Sequence, residues 1–246
     1  MSRLGLALQA GLPLMAVFIA ALLSSVAGFA FSALCGALLF HPFNAPVEIV
    51  RVLLLCSIAN QALSVFMLRR DIVWQRLLPF LVTGGLGVPV GVFALLHSTP
   101  HTYLRGFGCL LVAYSAYRLI RPAAGAASSG RPGDWVAGFV GGITGGGAAF
   151  PGARVMVWVA RRGWSKSEQR AVFQPFILAC LTLLVRTASL GHNSGAAGIA
   201  PSLLAYLPTS VLGTWCGLAV FRRLTDRQFG SVTNMFLIVS GIGLIV

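Results

Sequence analysis

Runs of apolar residues separated by short polar and basic connections organise this chain from one end to the other. They cover about residues 12–40, 47–68, 77–97, 102–120, 135–160, 171–190, 201–221 and 229–246. Several approach the roughly 20 residues that a helix needs to cross about 30 Å of hydrocarbon. A membrane β-barrel would instead alternate over segments of about 10 residues, a pattern this sequence lacks. The runs predict an all-α integral membrane protein, a multi-pass helical bundle.

The connections sort by charge. Arg69, Arg70 and Arg76 fall in one, Arg118, Arg121 and Arg131 in another, Arg161, Arg162, Lys166 and Arg170 in a third, and Arg222, Arg223 and Arg227 in a fourth. No Lys or Arg occurs from 77 to 104 or from 187 to 221. Lys and Arg mark cytoplasmic loops, which places 97–101, 191–201 and the carboxyl terminus on the outer side. The run at 135–160 breaks this alternation, because basic connections flank it at both ends. Its middle holds Gly141, Gly142, Gly145, Gly146, Gly147, Pro151 and Gly152. Glycine costs a helix about 1 kcal/mol and proline about 3, so the glycine run is expected to interrupt the helix. A re-entrant pair of half-helices accounts for both peculiarities. Such backbone survives at membrane depth only when buried in protein or lining a cavity.

The chain also matches itself. Residues 47–52 lie against 167–172 with Glu48 opposite Glu168, and 78–91 lie against 204–217. In the second pair Leu78, Leu81, Thr83, Leu86, Gly87 and Gly91 recur as Leu204, Leu207, Thr209, Leu212, Gly213 and Gly217. The matched halves carry opposite loop charge, which marks an inverted-topology repeat, the plan of many secondary transporters. The expected division is a first membrane repeat at 1–122, a linker at 123–133 and a second repeat at 134–246. The first-half counterpart of the glycine-rich run is 12–40, with Ala27, Gly28, Phe29, Ala30, Phe31 and Ser32 opposite 147–152.

Composition narrows the function. The 246 residues are 57% hydrophobic and 9% charged, against about 25% charged in soluble domains. A net charge of +13 would suggest nucleic acid in a soluble protein. Here the basic residues form short bursts between apolar runs, so the partner is the lipid bilayer and no nucleic acid is expected. Five cysteines without a CxxC argue against a disulfide scaffold. The first apolar run is too long for the h-region of a cleaved signal and reads as mature membrane segment.

Gly141-Gly142-x-x-Gly145-Gly146-Gly147 followed by Pro151, then Gly163-Trp164-Ser165 and Glu168-x-Arg170-Ala171, resembles the second half of the TauE/SafE sulfite-exporter family. The resemblance implies a permease of the bacterial inner membrane for small sulfur-containing anions such as sulfite, thiosulfate or organosulfonates. It implies no cofactor, and it leaves the oligomeric state open, a homodimer included.

An anion in low dielectric needs exposed N–H donors and a cation. A half-helix N-terminus supplies donors with partial positive charge, and glycine permits close approach. The candidate binding residues are therefore Thr144, Gly145, Gly146 and Gly147 with Arg154, an intramembrane arginine about 10 Å inward of Arg161 at roughly 1.5 Å per residue. Gln174, Phe31, Ser32, Asn60 and Gln61 complete the set, on the helices at and after the two breaks. Against these stand blander readings: glycines that only pack helices, an arginine that snorkels, and polar residues that act as interhelical glue. Arg186 reads as an interfacial anchor and the two glutamates as helix N-terminal charges. His192 and Ser194 share one external loop, but they do not by themselves make a nucleophile–base pair. No HExxH occurs, so neither catalysis nor a metal is expected. A passive small-anion channel and a non-catalytic scaffold are the alternatives to alternating-access transport.

Overall fold

The computed structural model describes residues 3–39, 46–97, 109, 132–148, 151–190 and 204–245. Those residues form α1 (Arg3–Ala27), α2 (Phe31–Leu39), α3 (Pro46–Leu68), α4 (Trp74–His97), α5 (Pro132–Ala148), α6 (Gly152–Val159), α7 (Lys166–Leu190), α8 (Tyr206–Arg223) and α9 (Asp226–Ile245), with no strand among them. The predicted run at 102–120, most of the 123–133 linker and the 191–201 connection lie outside the described residues. Arg51–Leu68, Trp74–Ala94 and Lys166–Thr187 are long and apolar enough to cross a membrane.

The helices gather into two compact units. The first takes residues 1–64 with 196–224, and the second takes 65–195 with 225–246. Each therefore draws helices from both halves of the sequence.

In the first unit α8 packs along α1. A Cβ at Gly213 would collide with the main chain at Phe18 and Leu22, and one at Gly217 would collide with the Leu22 carbonyl oxygen. Small residues thus let the two backbones meet. A core of Val17, Ala20, Ala21, Phe31, Cys35, Val52, Leu53 and Cys56 joins α1, α2 and α3.

In the second unit α4 packs along α5 in the same manner. Gly87 abuts the main chain of Phe139, Gly142 and Ile143, and Gly91 abuts Ile143 and Gly147. In return Gly142 abuts Gly84, and Gly146 abuts the Val88 carbonyl oxygen. Phe176 of α7 fills the space beside Gly84 and Gly141. On the opposite side of α4, Leu78, Val82, Leu86, Val90 and Phe93 recur at helical spacing and are exposed. Such a stripe is a liability in water and a natural surface in lipid.

Three expectations are corrected. The first helix begins at Arg3, nine residues before the apolar run at 12–40, while the parting of that run into two helices between Ala27 and Phe31 falls where the sequence set it opposite 147–152. The glycine run interrupts its helix only at its far end: α5 continues through 141–147 to Ala148, and α6 begins at Gly152. Close packing on α4 outweighs the poor helix propensity of glycine, which is only a weak prior. Finally, Arg170 is not part of a solvated basic connection. It lies in the second turn of α7 and is fully buried.

Candidate functional site

In the first unit the chain leaves α1 at Ala27 and enters α2 at Phe31. Gly28 has φ 89° and Ala30 has φ 71°. The left-handed region is open to Gly28 but unusual for alanine, so this turn is held by its surroundings. The hold comes from α3, whose buried face carries Ser57, Asn60, Gln61 and Ser64 at i, i+3, i+4 and i+7. Gln61 Nε2 donates to the Gly28 carbonyl oxygen at 3.4 Å, and the Ser32 and Ser57 hydroxyls share a bond of 3.0 Å. From α8, Ser210 Oγ donates to Asn60 Oδ1 at 2.7 Å. Asn60 Nδ2, Gln61 Oε1 and the Thr214 hydroxyl are buried without a hydrogen-bond partner. Leu34 N–H bonds to the Ala30 carbonyl, so the first N–H groups of α2, up to residue 33, have no partner within the helix. Phe31, Ser32, Asn60 and Gln61, all singled out from sequence, are thus brought to one junction.

In the second unit the corresponding place is the junction of α5 and α6. Gly145, Gly146 and Gly147 are buried at the carboxyl end of α5. A helix leaves its carbonyls, not its N–H groups, unpaired at that end. The free donors at this junction therefore belong to the first turn of α6, which holds Gly152 and Arg154, and Arg154 is half-buried. Thr144 is buried, and its hydroxyl donates to the Gly141 carbonyl oxygen at 3.0 Å. A Cβ at Gly145 would press on the Pro151 ring. Gln174 is fully buried with Oε1 unsatisfied. At about 100° per residue it lies roughly 160° around α7 from Phe176, the residue that faces α4 and α5.

One end of this unit is held by charge and aromatic rings. Asp134, in the first turn of α5, accepts from Trp158 Nε1 at 2.7 Å and pairs with Arg162. The chain thus doubles back between Asp134 and Arg162. The Arg162 guanidinium also lies over the Trp158 and Trp164 rings. Arg76 stacks over Trp164 and pairs with Glu168 at 2.7 Å. Glu168 accepts from the Ser165 N–H at 3.0 Å while Ser165 Oγ accepts from the Glu168 N–H at 3.3 Å, a capping box that starts α7. Its place at a helix N-terminus agrees with the dipole role expected of it.

A sequence model of the sulfite exporter TauE/SafE family matches residues 13–244. The chain belongs to that family. No curated protein and no solved structure matches it. Members of the TauE/SafE family are membrane transporters, not enzymes, and the apolar helices fit an integral membrane protein. As a TauE/SafE protein, the chain carries its buried polar groups on faces that sequence reading covered only in part. Ser57, Ser64, Ser210 and Thr214 were missed, although the i, i+3, i+4, i+7 spacing on α3 could have revealed the first two. Arg170 was missed because its sequence neighbours are basic. No group of three His, Cys, Asp or Glu able to hold a metal occurs among the described residues.

Proposed function

We propose that this TauE/SafE protein is a secondary transporter of small sulfur-containing anions in the bacterial inner membrane, working by alternating access around a central site. The observation that carries the reading is a correspondence between the two units. The aligned pair Gly87 and Gly91 packs α4 onto α5, and the matching pair Gly213 and Gly217 packs α8 onto α1. Each of these partners, α5 and α1, is the helix that leads into a junction. Reciprocal packing of that kind is what two inverted repeats, 1–122 and 134–246 joined by 123–133, would produce. The bond between Asp134 and Trp158 supports a re-entrant α5–α6 pair, because it brings both flanks to one end.

On this reading the candidate anion contacts are Phe31, Ser32, Asn60 and Gln61 within the first unit, and Thr144, Gly145, Gly146, Gly147 and Arg154 within the second. The N-terminal turn of α2 would offer N–H donors to an anion in the first unit, and that of α6 would do so in the second, where Arg154 adds a counter-charge. Gln174, fully buried on α7, is the further candidate contact in the second unit. The test is a panel of sulfite, thiosulfate, sulfate and sulfonates, read by thermal stabilisation of the purified protein, since a ligand that binds only the folded state raises its stability. Selective stabilisation by sulfur anions is the expected result. No response to any of them would overturn the reading.

A further inference from the structure

The α1–α2 junction has hydrogen-bonding capacity of both kinds and no charge of its own. Its donors are the first N–H groups of α2, which have no partner within that helix, the Asn60 Nδ2, which has none, and one proton of the Ser32–Ser57 hydroxyl pair. Gln61 Oε1, on a residue only 9% exposed, is a buried acceptor without a partner, as is the Thr214 hydroxyl of α8. The orientation of that amide is fixed by chemistry. Gln61 meets the Gly28 carbonyl, which only accepts, so Nε2 must face it and Oε1 must face elsewhere. A buried acceptor left unsatisfied is costly, and its natural complement is a ligand that carries a proton to donate.

Charge leads to the same ligand. Arg51 is ten residues from Gln61 along α3, about 15 Å at 1.5 Å per residue. Arg222 is twelve residues beyond Ser210 along α8, about 18 Å. Desolvating an ion without a counter-charge is costly and grows with the square of its charge, so a monoanion is favoured over a dianion.

We infer that this junction selects the protonated monoanion of a sulfur oxoacid, its O–H donating to Gln61 Oε1 and its oxygens accepting from Asn60 and the α2 N-terminus. The inference rests on the sulfur-anion reading above and names which ionisation state that site takes. The titratable or charged groups on the helices packed here are Arg3 on α1, Cys35 on α2, Glu48, Arg51 and Cys56 on α3, and Tyr206, Cys216, Arg222 and Arg223 on α8. Of these, Cys35 and Cys56 belong to the adjoining core, and Tyr206 packs against it.

Titration calorimetry of the purified full chain tests the inference with sulfite, across that ligand's second ionisation. Methanesulfonate, a monoanion at every pH used and without an O–H, reports any titration of the protein itself. Sulfite affinity should fall about tenfold for each pH unit above its ionisation, while methanesulfonate binds at least about tenfold more weakly, by one hydrogen bond, with no pH dependence. In Gln61→Met, sulfite should lose its advantage over methanesulfonate. Sulfite affinity that is flat or rises with pH, or methanesulfonate that binds as tightly as protonated sulfite, overturns the inference and leaves the sulfur-anion reading standing. The wild-type profile decides the matter even if the variant does not fold. Failure of both ligands to bind at any pH overturns that reading too.

Discussion

Arg154 is the residue on which the proposed anion site of the second unit depends most. It stands in the first turn of α6, half-buried, where the free N–H groups of that helix also lie. A guanidinium presents a planar fork to oxyanions, whereas an ammonium is a compact point charge. Arg154→Ala should remove a charged hydrogen bond of about 1.5–3 kcal/mol and weaken sulfite affinity roughly 10- to 100-fold. Arg154→Lys should weaken it less. Arg186→Ala, at an exposed position late in α7, should leave it nearly unchanged. Calorimetry on the three variants checks this. Unaltered affinity in Arg154→Ala would make Arg154 a snorkelling side chain. At this scale the sequence was only partly readable. Asn60 and Gln61 could be picked out because polar residues are rare inside apolar runs. Arg170 could not, because burial of one residue in a cluster of four basic ones depends on where α7 begins.

Helices were easier to foresee than their ends. Every described apolar run became helical, but the break in the glycine run falls after 147 rather than at the glycines, because their helix penalty is local and their packing gain comes from a partner 50 or more positions away. Gly142 and Gly146 are where α4 touches α5, and no side chain larger than hydrogen fits there. Gly87→Ala and Gly213→Ala should therefore lower the thermal midpoint of the purified protein, each by forcing two backbones apart. Gly85→Ala should not. A Cβ at Gly85 meets nothing within 4 Å, and alanine improves helix propensity by about 0.5–1 kcal/mol. Equal effects at Gly85 and Gly87 would contradict the packing. The start of α7 gives a second check. Glu168→Ala removes both the capping box and the pair with Arg76, and it should cost about 1 kcal/mol, with most of the loss from the cap because the ion pair is exposed. A thermal midpoint unchanged by that substitution would remove the cap from the account.

For the whole molecule, the proposed repeat rests on loop charge and paired glycines, which leave a mark in sequence, whereas the packing of a second-half helix on a first-half helix does not. Periodicity describes each helix by itself, and nothing in it says that α8 leaves its own half to pack on α1. The topology that follows from the loop charges is open to labelling. Single cysteines at 69–76 and 161–166, in a chain freed of its native five, should react from the cytoplasmic side, and those at 98–101 and 191–200 from the outside. Labelling of the two flanks of α5–α6 from opposite sides would defeat the re-entrant arrangement.

The most direct measurement is sulfite movement in proteoliposomes carrying the purified protein, with an imposed proton or sodium gradient. Alternating access predicts accumulation of sulfite against its own gradient, which is lost when the driving gradient collapses. It also predicts that excess unlabelled sulfite on one side accelerates exit of labelled sulfite from the other. Sulfite that only equilibrates, at a rate indifferent to the opposite side, would make the protein a passive channel, and no flux above protein-free vesicles would contradict transport altogether.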